Sequence, residues 1–423
     1  MPDGVVHVVG AGLAGLAAAL SLARRRRPVV VHEAAGQAGG RCRSYFDPAL
    51  GAAIDNGNHL VLSGNHAALS FVEAVGARDK LVGPRHAEFD FADLATGKRW
   101  RISINDGRLP WWIFDAGRRV PGTKPADYAA LLRLFFARPG ARVGDLVRLE
   151  GPLYERFLQP LLVAALNTDP AAASAALARA VFRETVLKGG KACRPLVAAN
   201  GLSSAFVDPC LETLAKLGAT VRFGQRLRAV EANATRIARL DFGERAVTLG
   251  PSDAVVLAVP APVATALVPG LTAPTAFRAI VNGHFAVAPP AGRPPVLGVI
   301  GGTIEWLFSF EGRLSTTTSN ADRLCDMPRE DLAAAIWQDV SRLTGLQGPM
   351  PAWQIVRERR ATFAGLPEED ARRPRPQTQW DNLFLAGDWT ATGLPATIEG
   401  AIRSGNRAAE LVLRTHSRLP PAP

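Results

Sequence analysis

The sequence predicts an α/β fold in which two domains are interleaved along the chain. Three observations carry the prediction. Residues 5–33 read as strand, glycine loop, helix and strand. Two further apolar strands of the same style recur far downstream, at Asp253 to Pro260 and at Leu383 to Leu385. Between them the composition departs twice, into aromatic and helical material over 91–200 and into strand-rich material over 276–370. A chain of 423 residues with 48% hydrophobic content has enough apolar material for two such cores.

The opening stretch sets the chemistry. Val5 to Val9 is rich in valine, and Gly10-Ala11-Gly12-Leu13-Ala14-Gly15 follows it directly. An Ala/Leu-rich helix then runs to about Ala23, and Val29 to Val31 leads to Glu33. This is the spacing of a Rossmann-type βαβ unit. Gly10 permits the tight turn, Gly12 lets the backbone approach a pyrophosphate, and Gly15 lets the helix pack on the strand. The helix start at Leu13 and Ala14 offers N–H groups and a positive dipole end to phosphate. Glu33 follows the second strand, where a carboxylate accepts from ribose hydroxyls. Gly39-Gly40-Arg41 is a further tight loop close behind.

The remaining elements follow in order. Ile54 to Leu62, which contains Asp55-Asn56-Gly57-Asn58-His59, reads as a polar-punctuated loop or strand. Residues 65–76 read as a helix, with Leu69, Val72 and Val75 near helical spacing and Gly76 as its stop. Residues 88–105 alternate as a hairpin. Leu109 to Phe114 carries Trp111 and Trp112, and Tyr128 to Ala137 reads as an amphipathic helix flanked by Arg133, Arg138 and Arg142. Rings beside arginines suit the headgroup level of an anionic membrane; the same face also suits ordinary packing in a substrate domain. Helices are expected at 153–166, 170–187 and 202–217, and short strands at 219–223, 227–230 and 236–240. A Pro/Arg linker at 372–376 precedes the strand ending in Gly387-Asp388, and Pro395 opens the final helix to Leu413. The tail from Pro420 reads as disordered.

This divides the chain into a dinucleotide domain at 1–90, 201–275 and 371–415, a second domain at 91–200 and 276–370, and a tail at 416–423. Within the second domain, 109–142 is the stretch that can face a membrane.

Composition narrows the classes. The net charge of +11, from 49 Lys+Arg against 38 Asp+Glu, fits either an anionic partner or a solvated basic surface. Cys42, Cys193, Cys210 and Cys325 form no CxxC pair and no metal-ligand spacing, which points to a reduced cytoplasmic chain without a metal. The Arg24 to Arg27 run follows the first apolar helix instead of preceding it, so that helix is not a secretory signal. No apolar run reaches the ~18 residues of a membrane-spanning helix.

A second half of the cofactor site lies near the end of the chain. Gly387-Asp388 at a strand end can place a carboxylate and an N–H beside a polyol or pyrophosphate. The helix start at Ala396-Thr397-Ile398 can aim N–H groups at an isoalloxazine edge. With Gly39-Gly40-Arg41 and no second GxGxxG loop, these residues favour FAD over a nicotinamide cofactor.

Together these stretches resemble the FAD-dependent amine oxidase and phytoene desaturase superfamily over nearly the full chain. The similarity is closer to one branch, the squalene-associated desaturase-like flavoproteins read as hydroxysqualene dehydroxylases of hopanoid-producing bacteria. The stretches that carry it are Asp55 to His59, Leu109 to Trp112, Arg119 to Thr123, Pro160 to Thr168, Lys191 to Pro195, Trp389-Thr390 and Pro395 to Ala401. Asn58 stands where that branch leads one to expect Gln.

The resemblance implies a glutathione-reductase-2-like FAD domain, an α+β substrate domain with a hydrophobic tunnel, and an isoprenoid substrate. By motif, Gly10, Gly12, Leu13, Ala14 and Gly15 serve the pyrophosphate, Glu33 the ribose, and Gly39, Gly40 and Arg41 the pyrophosphate region. Leu227 meets adenine through its backbone, and Val259 lines the cofactor. Gly387, Asp388, Ala396, Thr397 and Ile398 hold the ribityl chain and flavin ring. The resemblance also implies squalene/hopanoid pathway enzymes as partners, no nucleic acid, and a place in the cytoplasm or at the inner membrane face.

The implied reaction removes the hydroxyl of hydroxysqualene with hydride from reduced FAD and loss of water. Such chemistry needs a donor for the leaving oxygen and aromatic faces for an allylic cation. Candidate donors are His59, Asn58 and Arg183. Candidate aromatics are Trp111, Trp112, Phe157, Trp306, Phe308 and Trp389. A flavin desaturase or amine oxidase would use the same FAD residues in the opposite direction. A non-catalytic prenyl-lipid carrier of this fold would not need them intact.

Overall fold

The computed structural model describes residues 4–416. At its centre is a five-stranded sheet in the order Thr220–Arg222, Val29–His32, Val6–Val9, Ala254–Leu257 and Leu383–Leu385. All its pairings are parallel, and three separate stretches of chain supply its strands. A parallel sheet is covered on both faces, which is why its other four strands are almost continuously apolar, while the edge strand Thr220–Arg222 is largely exposed. Val6, Val8, Val31, Val255, Val256 and Leu257 are fully buried.

Helix Leu13–Ala23 packs on this sheet and against the last helix, Ile398–His416. Gly405 makes that approach possible, because a Cβ there would lie 2.1 Å from the Ala14 carbonyl oxygen. The last helix begins at Ile398, later than the start read from Pro395. Thr397 supplies its cap, with Oγ1 accepting from the Gly400 N–H at 3.0 Å.

The second large sheet has seven strands in mixed orientation. Their order is Trp353–Phe363, Phe277–Phe285, Arg313–Thr318, Trp306–Phe310, Val296–Ile300, Ala87–Asp93 and Arg99–Ile104. Helix Arg329–Thr344 covers one face of it, packing Leu332, Ile336 and Val340 against Val281, Phe285 and Leu314. The strand-rich expectation for 276–370 does not include this helix. Leu332, Ile336, Val340 and Leu343 recur at helical spacing there. Short strands Val61–Leu62, Leu81–Val82 and Pro195–Ala198 tie the two halves together.

Four helical expectations are refined. Residues Pro125–Phe136 wind as a 3₁₀ helix, not an α-helix. Its side chains repeat every three residues, so Tyr128, Leu131 and Leu134 turn inward while Leu132 and Phe136 are left outside. The helix expected from Pro170 begins at Ala175, where the Ser174 hydroxyl accepts from the Leu177 N–H at 3.3 Å. The helices at 153–166 and 202–217 each start with a wide π turn, at Tyr154–Leu158 and Ser203–Val207. The proline-rich tail lies outside the described residues.

The four cysteines are free and buried. Burial pushes the Cys42, Cys193 and Cys210 thiols up to about 12, so none is a thiolate at neutral pH. Glu305 is the buried acid with a consequence for stability. Burial pushes it up to about 7, only partly opposed by the Ser319 N–H that it accepts at 2.8 Å. Between the ordinary carboxylate pKa and 7 the unfolded chain releases this proton and the folded chain keeps it. Stability therefore falls as pH rises through that window, by on the order of 2 kcal/mol after solvent screening. In Glu305→Gln, urea melts at pH 5 and pH 8 should lose this share of the difference.

Candidate active site

The glycine loop has the geometry that its spacing demanded. Gly10 sits at φ +102°, and a Cβ there would lie 2.4 Å from the Ala258 carbonyl oxygen. At Gly15 a Cβ would lie 1.9 Å from the Gly10 oxygen. Gly12 differs: its backbone is extended at φ −72°, and an added Cβ would meet nothing within 4 Å. No side chain caps the helix that follows, so its first N–H groups face the open space above Gly12. Glu33 holds the loop from below. Its Oε2 accepts from the Ala11 N–H at 2.7 Å and its Oε1 from the Ala35 N–H at 2.8 Å.

The second loop lies directly on the first. The Gly39 N–H donates to the Ala11 oxygen at 2.8 Å, and a Cβ at Gly40 would lie 3.3 Å from the Gly12 Cα. Gly39 and Gly40 both adopt positive φ, +104° and +56°, which turns the chain and sends Arg41 across the site. Its guanidinium donates to Asp388 Oδ1 at 2.6 Å and also to the Ala361 carbonyl. The two halves of the site, 347 residues apart in sequence, are thus joined by one ion pair. The Asp388 side chain is 8% exposed and the Arg41 side chain 42%.

Around Asp388 the backbone is tightly held. The Gly387 N–H donates to Ser404 Oγ at 2.8 Å, and the Trp389 indole donates to the Val259 carbonyl at 2.9 Å. A Cβ at Gly387 would strike the Trp389 ring at 2.4 Å. His59 lies within electrostatic reach of both Arg41 and Asp388. Burial and the Arg41 cation push it down to about 4, so its imidazole is neutral at neutral pH.

These residues fit FAD. The open space above Gly12 and the uncapped helix suit a pyrophosphate, the Glu33 carboxylate flanks it, and Arg41 bridges to the far half. The structure brings Gly10, Gly12, Leu13, Ala14, Gly15, Glu33, Gly39, Gly40, Arg41, Gly387, Asp388, Val259 and His59 into one connected region. Ala396, Thr397 and Ile398 form the start of the last helix, whose Ser404 bonds the Gly387 N–H. Leu227 is buried in a loop behind Glu33, where the Gln225 N–H donates to the Glu33 backbone carbonyl at 2.8 Å.

The other candidates divide. Arg183 is not brought to this region: its side chain is 65% exposed and lies beside Glu184. Trp112 is buried against Tyr128 and Phe157, whereas Trp111 stands on the surface. Phe308 stacks on Phe310 in a small cluster with Val197. Trp306 packs near Phe91 at 5.9 Å between ring centroids.

Asn58 is buried and linked to the second sheet. Its Nδ2 donates to the Thr316 oxygen and to Thr317 Oγ1, both at 3.1 Å. Sequence reasoning missed the partners Thr316, Thr317 and Asn282. The only signal for the two threonines was Ser315-Thr316-Thr317-Thr318-Ser319, a run of hydroxyl side chains that the structure buries.

Comparison with known proteins agrees with this geometry. The family model of flavin-containing amine oxidoreductases matches residues 13–413. The hydroxysqualene dehydroxylase of Rhodopseudomonas palustris is 58% identical over 409 residues, covering 96% of this chain and 98% of the relative. That of Zymomonas mobilis is 46% identical, covering 98% of this chain and all of the relative. Among solved structures, cyclohexylamine oxidase from Brevibacterium oxydans superposes with a TM-score of 0.70 at 15% identity, covering 99% of this chain and 100% of that one. The chain belongs to the flavin-containing amine oxidoreductases, in the group of the hydroxysqualene dehydroxylases.

Proposed function

We infer that this chain is an FAD-dependent oxidoreductase that converts hydroxysqualene to squalene. The observation that carries the reading is similarity to hydroxysqualene dehydroxylases over nearly the full length, together with an intact two-part cofactor site. In the reaction a C–O bond is replaced by a C–H bond: reduced FAD, when bound, supplies the hydride, and a proton carries the hydroxyl away as water. The chain's own part is to hold the cofactor between Gly12 and Asp388, to keep water out, and to orient the alcohol. His59, neutral beside Arg41, can donate or accept a hydrogen bond there but does not serve as a cationic acid. A non-catalytic carrier would have no need of the Arg41–Asp388 bridge or of the opening over Gly12.

The test is anaerobic. Protein loaded with FAD and reduced with dithionite should form squalene from hydroxysqualene, one equivalent per flavin reoxidised. Flavin reoxidation without squalene would overturn the reading.

The product and substrate are long hydrocarbons, and one face of the protein suits their delivery from a bilayer. No described helix is long and apolar enough to cross a membrane. Leu109, Trp111, Phe114, Leu132 and Phe136 are all exposed, Trp111 by 65% and Phe136 by 84%. Arg108, Arg118, Arg133 and Arg138 are exposed among them. Such a face rests on an anionic membrane with rings at headgroup depth and guanidinium groups on phosphate. Trp111→Ala with Phe136→Ala should cut pelleting with phosphatidylglycerol vesicles by about tenfold, roughly 1.4 kcal/mol. Unchanged pelleting would remove this face from the account. Trp112 is excluded from the variant because it is core.

A further inference from the structure

Two histidines interrupt the valines of the central sheet, and neither belongs to the glycine loops or to the Arg41–Asp388 bridge. His7 and His32 lie on adjacent parallel strands, 6% and 1% exposed. His7 Nδ1 is 3.1 Å from His32 Nε2, and His32 Nδ1 is 2.7 Å from Gln225 Oε1. Phe242 stacks on the His32 ring with 4.5 Å between centroids. Burial pushes His7 down to about 4 and His32 below its ordinary value, so both rings are neutral at neutral pH. A neutral imidazole has one N–H and one lone pair, which fixes the direction of the chain. The Gln225 oxygen only accepts, so the His32 proton sits on Nδ1. Its Nε2 is then bare and accepts from the His7 Nδ1–H. Two imidazoles and an amide thus run from the middle of the sheet to the loop after strand Thr220–Arg222.

That loop stands at the nucleotide end of the site. Dinucleotides lie across the carboxyl ends of parallel strands, with the acid after the second strand on the ribose. The acid is Glu33, the residue after His32. Its carboxylate accepts from the Ala11 and Ala35 N–H groups and keeps lone pairs for ribose hydroxyls. The loop is stitched to the same segment. The Glu33 N–H donates to the Arg222 carbonyl at 2.8 Å, the Gln225 N–H to the Glu33 backbone carbonyl at 2.8 Å, and the Gly224 N–H to the Ala35 carbonyl at 3.1 Å. Just beyond it, the Arg228 N–H donates to the Asp241 carbonyl at 2.7 Å, next to Phe242. His32 therefore grips 225–228 at both ends: Gln225 by a hydrogen bond, and Arg228 through the strand that carries Phe242.

We propose that His32 is a positioning residue for FAD: through Gln225 it holds loop 223–227 against Glu33 and so shapes the adenosine end of the cofactor site. His7 keeps His32 in the tautomer this needs. Without the His7 N–H, the His32 proton is free to move to Nε2, and a bare Nδ1 would then face the Gln225 oxygen, lone pair against lone pair. A valine at either position would fill the space and hold nothing. No link of the chain includes Arg41, Asp388 or the start of the last helix, so its loss is felt at the adenosine half and not at the flavin half. The assignment rests on the FAD site described above.

The test titrates the full-length chain with three probes: FAD, ADP for the adenosine half and FMN for the flavin half. In Gln225→Met, which keeps the side-chain length and removes the acceptor, FAD and ADP affinities should fall together by about 5–10-fold, with FMN affinity within about twofold of native. Gln225 is half-buried in a loop, so this variant leaves the core intact. His32→Phe, which keeps a ring on Phe242, should show the same split. Adding Gln225→Met to it should cost nothing further, because both changes break one bond. Gln225→Glu, which restores an acceptor, should recover most of the loss. If FMN and ADP weaken equally, the damage is general and the assignment is wrong. Native ADP affinity in Gln225→Met would overturn it as well. A native chain that takes up neither FAD nor ADP would overturn the FAD site itself.

Discussion

Gly12→Val should give a folded protein that purifies colourless, whereas Gly15→Val should scarcely accumulate. The two glycines stand three residues apart in one motif, yet the structure assigns them different duties. Gly12 has an ordinary extended backbone, and nothing lies within 4 Å of an added Cβ. A valine Cβ there meets no protein atom within 4 Å, and the φ of −72° is one that L side chains readily adopt. Its branches occupy the space through which a pyrophosphate approaches the helix N–H groups. FAD affinity should fall by roughly 100-fold or more, about 2.7 kcal/mol, with the melting temperature of the cofactor-free protein nearly unchanged. At Gly15 the same change drives a Cβ to 1.9 Å from the Gly10 oxygen, beneath the parallel sheet. Relieving that contact must separate helix from strand, and overpacking of this kind costs about 1–3 kcal/mol or more. Flavin absorbance and thermal melts of both variants check the pair. A yellow Gly12→Val protein would mean that the phosphate does not lie over Gly12.

Arg41→Ala should weaken FAD binding about 10–100-fold and lower the stability of the cofactor-free protein by about 1–3 kcal/mol. The guanidinium is 42% exposed, so removing it empties no core, but Asp388 at 8% exposure then loses its ionic partner. Charge-assisted bonds of this kind contribute about 1.5–3 kcal/mol each. More is lost than one contact, because the same side chain also reaches the Ala361 carbonyl and so ties the glycine loops to the strand Trp353–Phe363. Arg41→Lys should recover only part of the affinity, since an ammonium on a flexible stem cannot hold two partners in a fixed fork. Titration of the cofactor-free protein with FAD separates the three outcomes. Equal affinity in all three would show that the bridge is ornamental.

The same His59 that the sequence offered as a donor is reshaped by this pair. With its pKa lowered to about 4 by burial and the Arg41 cation, it enters the neutral range without a charge to give. The residue type was legible in the sequence, and its protonation state was not, because that depends first on burial and then on a cation, both supplied by the fold.

Much of the cofactor site was fixed by local sequence. A strand, three glycines, a helix and an acid in register define one conformation over thirty residues, because φ at Gly10, close packing at Gly15 and the helix dipole are all short-range effects. The parallel strands were equally legible, since burial on both faces writes itself as uninterrupted valine and leucine. The tertiary structure alone decided the rest. Trp111 and Trp112 are adjacent and chemically identical, yet one is 65% exposed and the other 2%, because a tight 3₁₀ turn points neighbours in different directions. Arg183 looked like a donor in sequence and faces solvent. Asn58 and Thr317 are 259 residues apart, and nothing in either segment announces the other. Periodicity reports which residues avoid water, and spacing reports which backbone turns are possible. Neither reports which distant segments meet, as Arg41 meets Asp388 and Asn58 meets Thr317.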